Sequence, residues 1–161
     1  EDQVTDRVGT LRDTLQVRRF GRDHLELSSL LMARRIVELD NGPPGRERYL
    51  VLPNPLLEAP RSGTASFYFE VYNLSQDAFG ATRYRVTYQT RVIPESGGPE
   101  DQLEWATAVS SEFEGSEAWE PFRLTLELDD NSTGLREFRV VVDDLQDLER
   151  AEETTRFRVR W

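Results

Sequence analysis

The residues of this chain that can do chemistry are many of one kind and few of any other. Thirty carboxylates stand against twenty basic residues, all of them arginine, with one histidine and no cysteine. The absence of cysteine removes thiol nucleophiles, thiolate metal sites and disulfides. His24 stands alone, so a zinc site would need carboxylates to complete it, and a Ser-His-Asp set has no Gly-x-Ser-x-Gly elbow to present its serine. No lysine-bearing phosphate loop is present. Asp129, Asp130 and Asn131 sit at one turn, and Asp143, Asp144 and Asp147 follow a later strand. Calcium takes several oxygens, but neighbouring strands of a meander run oppositely and place these clusters at opposite ends. Turn capping is the simpler use of such residues, and no metal or cofactor is expected. A carboxylate pair for sugar hydrolysis would need a cleft that short loops on a small sandwich do not make, so the chain is read as non-enzymatic.

Aromatic side chains offer a different chemistry. Tyr68, Glu70 and Tyr72 share one face of an alternating run, and Trp105 and Trp119 follow later in the sequence. Rings beside a carboxylate on a sheet face can grip a sugar by stacking and directed hydrogen bonds, which makes Tyr68, Glu70, Tyr72 and Trp105 a candidate ligand face. The competing reading is that both faces of this run are covered, as in a central strand.

The net charge is −10 and the sequence pI about 4.7. Such a chain repels phosphate backbones and anionic lipid at long range, so nucleic acid is not an expected partner. No apolar run reaches a membrane-spanning length. The chain begins at Glu1 without methionine, which is read as a cleaved leader or a fragment of an exported protein.

The elements that must position these residues are strands. Phe67, Phe69 and Val71 point one way and Tyr68, Glu70 and Tyr72 the other; Tyr84, Val86, Tyr88 and Val92 then share a face against Arg83, Arg85, Gln89 and Arg91. The same alternation marks Leu103, Trp105 and Val109, then Phe122 to Leu128, Phe138 to Val142, and Phe157, Val159 and Trp161. Thr14–Phe20 and Tyr49–Leu52 read as strands, the latter stopped by Pro53 and Pro55. His24–Leu39 reads as one long strand kinked near Ser28 and Ser29. Turn residues separate the runs, giving about eight or nine strands. The expected fold is an all-β antiparallel sandwich, Ig-like or fibronectin-like, over residues 14–161; a closed barrel is the alternative. Residues 1–13 form an N-terminal arm, helical or extended, with Val4, Val8 and Leu11 as its candidate assembly contacts.

Tyr68–Leu74 (YFEVYNL) with Gly80, Tyr84, Val86 and Tyr88, preceded by Leu25–Ile36 (LELSSLLMARRI) and Val51–Pro55 (VLPNP), resembles the C-terminal β-sandwich region of bacterial GWxTD-domain envelope proteins. The resemblance runs from about Thr14 onward. The Gly-Trp-x-Thr-Asp motif itself does not occur in this chain. What the resemblance implies is an extracellular, periplasmic or cell-envelope location and this fold, with no catalytic residue to carry over. The expected function is protein binding or assembly, with itself or an envelope component, through edge strands and the arm; a carbohydrate-binding module is the alternative.

Overall fold

A computed structural model describes residues 18–39, 48–94, 103–128 and 133–161. Their strands are β1 (Glu26–Leu27), β2 (Leu31–Glu38), β3 (Tyr49–Pro53), β4 (Glu58–Pro60), β5 (Thr64–Tyr72), β6 (Thr82–Ile93), β7 (Ala106–Gly115), β8 (Trp119–Glu127), β9 (Gly134–Asp144) and β10 (Arg150–Arg160). The first sheet places β8 on one side of β5 and β1 and β2 on the other, with β3 outside β2; the second runs β4-β10-β9-β6-β7. The result is the expected sandwich, with ten strands among the described residues rather than eight or nine. The additions are short: β4 has three residues, and the single expected strand over His24–Leu39 is divided into β1 and β2.

That division has a local cause. Leu27 pairs with Val71, and Leu31 pairs with Tyr68, so Ser28, Ser29 and Leu30 stand against Phe69 and Glu70 alone. The extra residue is absorbed where Ser28 donates its N–H to the Glu70 carbonyl at 2.9 Å and its Oγ accepts the Glu70 N–H at 2.8 Å. A serine side chain replaces a missing ladder partner, and the strand kinks without losing its place beside β5.

Consecutive strands do not simply meander. β5 and β6 fall in opposite sheets, as do β7 and β8. The first strands also serve both sheets: β2 is antiparallel to β5 in one, and β4 is parallel to the last strand, β10, in the other. This is the Ig-like arrangement, in which the opening of the chain closes the domain against its end.

The alternating apolar residues meet between the sheets. Phe67, Phe69, Val71, Val86, Phe138, Val140 and Val142 are fully buried, and Phe67 lies 4.4 Å from Phe138, ring to ring. Phe113 of β7 packs edge-on against Phe122 of β8 at 5.4 Å, which seals one side of the sandwich. Three expected core residues stay outside, Val109 of β7 among them, half exposed. Val92 lies near the end of β6 and is half exposed, and Trp161, at 89% exposure, carries the Arg61 guanidinium over its ring at 4.3 Å instead of entering the core. The polar and acidic stretch Ser110–Ala118 has no apolar alternation to mark a strand, yet its first part, to Gly115, continues β7: as an edge strand it keeps polar side chains on its outer face and needs only Phe113 within. Residues 18–20 take no strand, and 14–17 lie outside the described residues.

One feature rearranges the outer face of the first sheet. β2 and β3 form a ribbon, with an irregularity between Ala33 and Arg35. Carried on straight from the register Leu31↔Tyr68, β2 would put Glu38 some ~20 Å along the sheet from Tyr68 at about 3.3 Å per residue. Instead Glu38 pairs with Arg123 at 3.2 Å, Tyr49 meets the Tyr68 ring at 6.0 Å, and Arg48 reaches Glu120 at 3.6 Å. The ribbon therefore folds back over the outer face of β5 and β8. Tyr49, Val51 and Ile36 turn inward, Glu38 stays half exposed at the rim, and the alternates Leu50 and Leu52 face solvent.

Candidate functional site

Glu70 organises the outer face of β5. Its carboxylate accepts hydrogen bonds from the hydroxyls of Tyr68 at 2.7 Å and of Tyr72, its neighbours two residues away on the same face. A third donor comes from β8, where the register Tyr72↔Trp119 brings the indole Nε1–H to Glu70 at 3.0 Å. Burial, with the adjacent Glu70 charge, pushes the Tyr68 phenol well above its ordinary value. Phe20 stacks on Tyr72 at 4.5 Å, and Tyr49 covers Tyr68. The expected trio of Tyr68, Glu70 and Tyr72 is thus brought together, half-buried, with Trp119 as its fourth member. Its polar groups are turned on one another. What opens to solvent beside it is a cavity of about 530 Å³ lined by Phe20, Arg22, Tyr72, Asn73 and Trp119.

Trp105 does not join this face. It precedes β7 in the opposite sheet and lies between two guanidinium groups, Arg91 at 4.4 Å and Arg139 at 4.2 Å. Arg91 and Arg156 both bond Glu137, at 2.6 and 3.0 Å. Burial alone would raise the Glu137 carboxyl, but the hydrogen bonds from Arg156 and Arg91 outweigh it and hold the group below its usual range. Arg139 meanwhile donates to Gln89 Oε1 at 2.8 and 2.6 Å. Arginine suits this use, because its flat head stacks on an indole while its edge bonds a neighbour.

The acidic residues near the end of β9 each have a structural partner. Asp143 pairs with Arg150 at 2.7 Å. Asp144, almost wholly buried, accepts the backbone N–H of Ser75 at 2.7 Å and of Gln146 at 2.8 Å, and Asp147 accepts the Ser75 hydroxyl at 2.6 Å. Glu149 accepts the Leu25 N–H at 2.6 Å; this bond, then that from His24, lowers its carboxyl. Among the described residues, no group of three metal-ligating side chains forms. Asp129–Asn131 and the arm residues Val4, Val8 and Leu11 lie outside the described residues.

The edges of the two sheets differ in character. β7 shows Glu112 and Glu114, β8 carries Glu120, Arg123 and Glu127 around Pro121, and β4 is three residues long and ends in Pro60. Charges, prolines and shortness are the ordinary guards against unwanted pairing. β3, reading Tyr-Leu-Val-Leu-Pro, has no charge, and Leu50 and Leu52 are 61% and 57% exposed, with Leu56 beyond them at 65%. In the sequence β3 shows only as a short strand ended by proline. Its alternation was visible, but nothing local told which of its two apolar faces the fold would leave open.

No protein-family model matches the chain, and no curated protein matches it. Among solved structures it is similar to the Pseudomonas fluorescens alkylpurine DNA glycosylase AlkC bound to DNA containing an abasic site analog, at 12% identity and a TM-score of 0.48, over 86% of this chain and 31% of that one. It is similar also to the sporulation control protein Spo0M of Bacillus subtilis (13%, TM-score 0.43, 86% and 50%) and to the superoxide reductase neelaredoxin of Ignicoccus hospitalis (10%, 0.44, 83% and 82%). The chain spans about a third of the first and half of the second. Identities and TM-scores this low say nothing about activity.

Proposed function

We propose that this chain is a non-catalytic, exported β-sandwich of the cell envelope or extracellular space that acts in protein binding or assembly, through its edge strands and its N-terminal arm. The observation that carries the reading is β3, an edge strand without charge whose Leu50 and Leu52 stand in solvent on a domain that guards its other edges. An edge of this kind gains by accepting a strand, with backbone hydrogen bonds for affinity and alternate side chains for register. The dense internal pairing of Glu70, Glu137 and Asp144 supports a structural use for the carboxylates best placed to do chemistry. Deleting residues 1–13 is expected to lower the mass of the assembled species in light scattering; an unchanged mass across the concentration range counts against the arm as a contact.

A second reading is carbohydrate binding at the cavity beside Phe20, Tyr72 and Trp119. Its support is the ring lining; the phenol and indole donors already spent on Glu70 weigh against it. Calorimetry with soluble cello- and chito-oligosaccharides tests it, and heat lost on Trp119→Ala would favour it.

A further inference from the structure

We propose that the edge of β3 left unpaired among the described residues accepts an extended segment whose side chains alternate between apolar and acidic, added as a further strand. The inference deepens the binding reading above and rests on it.

The hydrogen-bond phase of β3 is fixed at both ends. Leu39 donates to the Arg48 carbonyl at 2.9 Å, and Asn54 donates to that of Met32 at 2.8 Å. Those bonds flank the pairs Glu38↔Tyr49 and Ala33↔Pro53, so Tyr49 and Pro53 turn their own backbone groups away from β2. Strand alternation puts Val51 with them. The free side of β3 therefore offers N–H and C=O from Tyr49 and Val51, and C=O from Pro53, whose missing N–H removes no bond from the β2 ladder.

The surroundings select the partner. Leu50 and Leu52 give apolar contact beside the edge. Arg34 and Arg35 are exposed, and among the described residues neither has an ion-pair partner, whereas Arg83, Arg85, Arg91, Arg123, Arg150 and Arg160 each hold a carboxylate. In a protein of net charge −10, two guanidinium groups on the adjoining strand β2 that pair with no described carboxylate favour carboxylates on what docks alongside β3.

The probe is a synthetic nine-residue peptide alternating valine with glutamate, capped at both ends, added to the full chain. Nitrogen-15 spectra are expected to show the Tyr49 and Val51 amides shifting saturably and exchanging about tenfold more slowly with solvent. The same peptide with lysine for glutamate should bind about tenfold more weakly. Val51→Pro removes a free-edge donor without touching the β2 ladder and should abolish binding; Leu52→Glu keeps the backbone intact and should weaken it. Protection at β7 or β8, no protection anywhere, or full binding by Val51→Pro would overturn the proposal. Equal binding of the lysine peptide would overturn its charge preference. Dimerisation with concentration that Val51→Pro abolishes, without peptide binding, would assign the edge to a second copy instead. Assembly lost on deleting residues 1–13 together with no protection at β3 would keep the binding reading and discard this site.

Discussion

The indole of Trp119 donates its Nε1–H to the carboxylate of Glu70 across the β5–β8 pair, at 3.0 Å. Forty-nine positions apart in the chain, the two are held by strand register alone, with Tyr68 and Tyr72 completing the donors around the same carboxylate.

Replacing Glu70 with glutamine removes the charge that these donors share and gives one of them a competing NH₂ group. Glu70→Gln is expected to lose about 1–3 kcal/mol in urea unfolding, the range for hydrogen bonds to a charged group. Trp119 fluorescence should shift in the folded state, since its nearest charge is gone. An unaltered unfolding midpoint would show the network to be incidental.

Glu137 is more deeply placed, between Arg91 and Arg156. Glu137→Gln leaves two guanidinium groups facing each other without a counter-charge, and breaking a buried pair from one side is costly. A loss of about 2–4 kcal/mol is expected, somewhat below a fully buried case because the Arg156 side chain is 47% exposed. Trp105→Leu, which removes only the surface between Arg91 and Arg139, should cost less in the same assay.

Two glutamates should respond to pH in opposite directions. Glu149 titrates below its ordinary value through its bonds to Leu25 and His24, so it stabilises the fold above the unfolded carboxyl pKa of about 4.3 and loses that contribution as pH falls through its folded value. Glu120 is raised by burial; its folded form holds the proton more tightly, so stability declines as pH rises from about 4.3 through its folded value. Glu149→Gln should therefore be weaker than the native chain at neutral pH, with the gap closing in acid. Glu120→Gln should match the native chain in acid and exceed it at neutral pH. Urea midpoints between pH 3 and 8 test both; parallel profiles would contradict the assignment.

Leu148 sits at the β9–β10 turn with φ 61° and 85% of its surface exposed. A leucine there holds a left-handed backbone that costs about 1–2 kcal/mol and buries almost nothing in return. Leu148→Gly is expected to stabilise by about 0.5–1 kcal/mol after the added chain entropy of glycine, seen as a Tm rise of about 1–4 °C. A fall in Tm would mean that the side chain has a contact in solution.

The sandwich was legible in the sequence because alternation survives in most of the long strands, β7 excepted: the inward sets of β5, β9 and most of β6 are those the spacing marks. Alternation tells in from out, however, and not one sheet from the other, so the crossings between β5 and β6 and between β7 and β8 could not be read. The Tyr68, Glu70, Tyr72 face was visible because its members are two residues apart; the sequence offered Trp105 and Trp119 beside it alike, and only the β5–β8 pairing register, which no local pattern encodes, brings Trp119 to Glu70. Trp105 was misplaced because its neighbours in sequence suggested a strand, whereas its position is set by two arginines from β6 and β9.

The ribbon of β2 and β3 makes the domain locally three layers deep, with β5 as the middle layer. Opening can then happen in two stages. Lifting the ribbon breaks the contacts of Tyr49, Glu38 and Arg48 but leaves the core between the sheets closed, while freeing β5 requires the whole domain to come apart. Hydrogen exchange should accordingly separate a fast-opening unit at β3 from a slow one at Phe67–Val71. The strand best suited to receive a partner thus belongs to the part of the molecule that can yield without unfolding, and occupancy there would be felt on the rings around Glu70 beneath it.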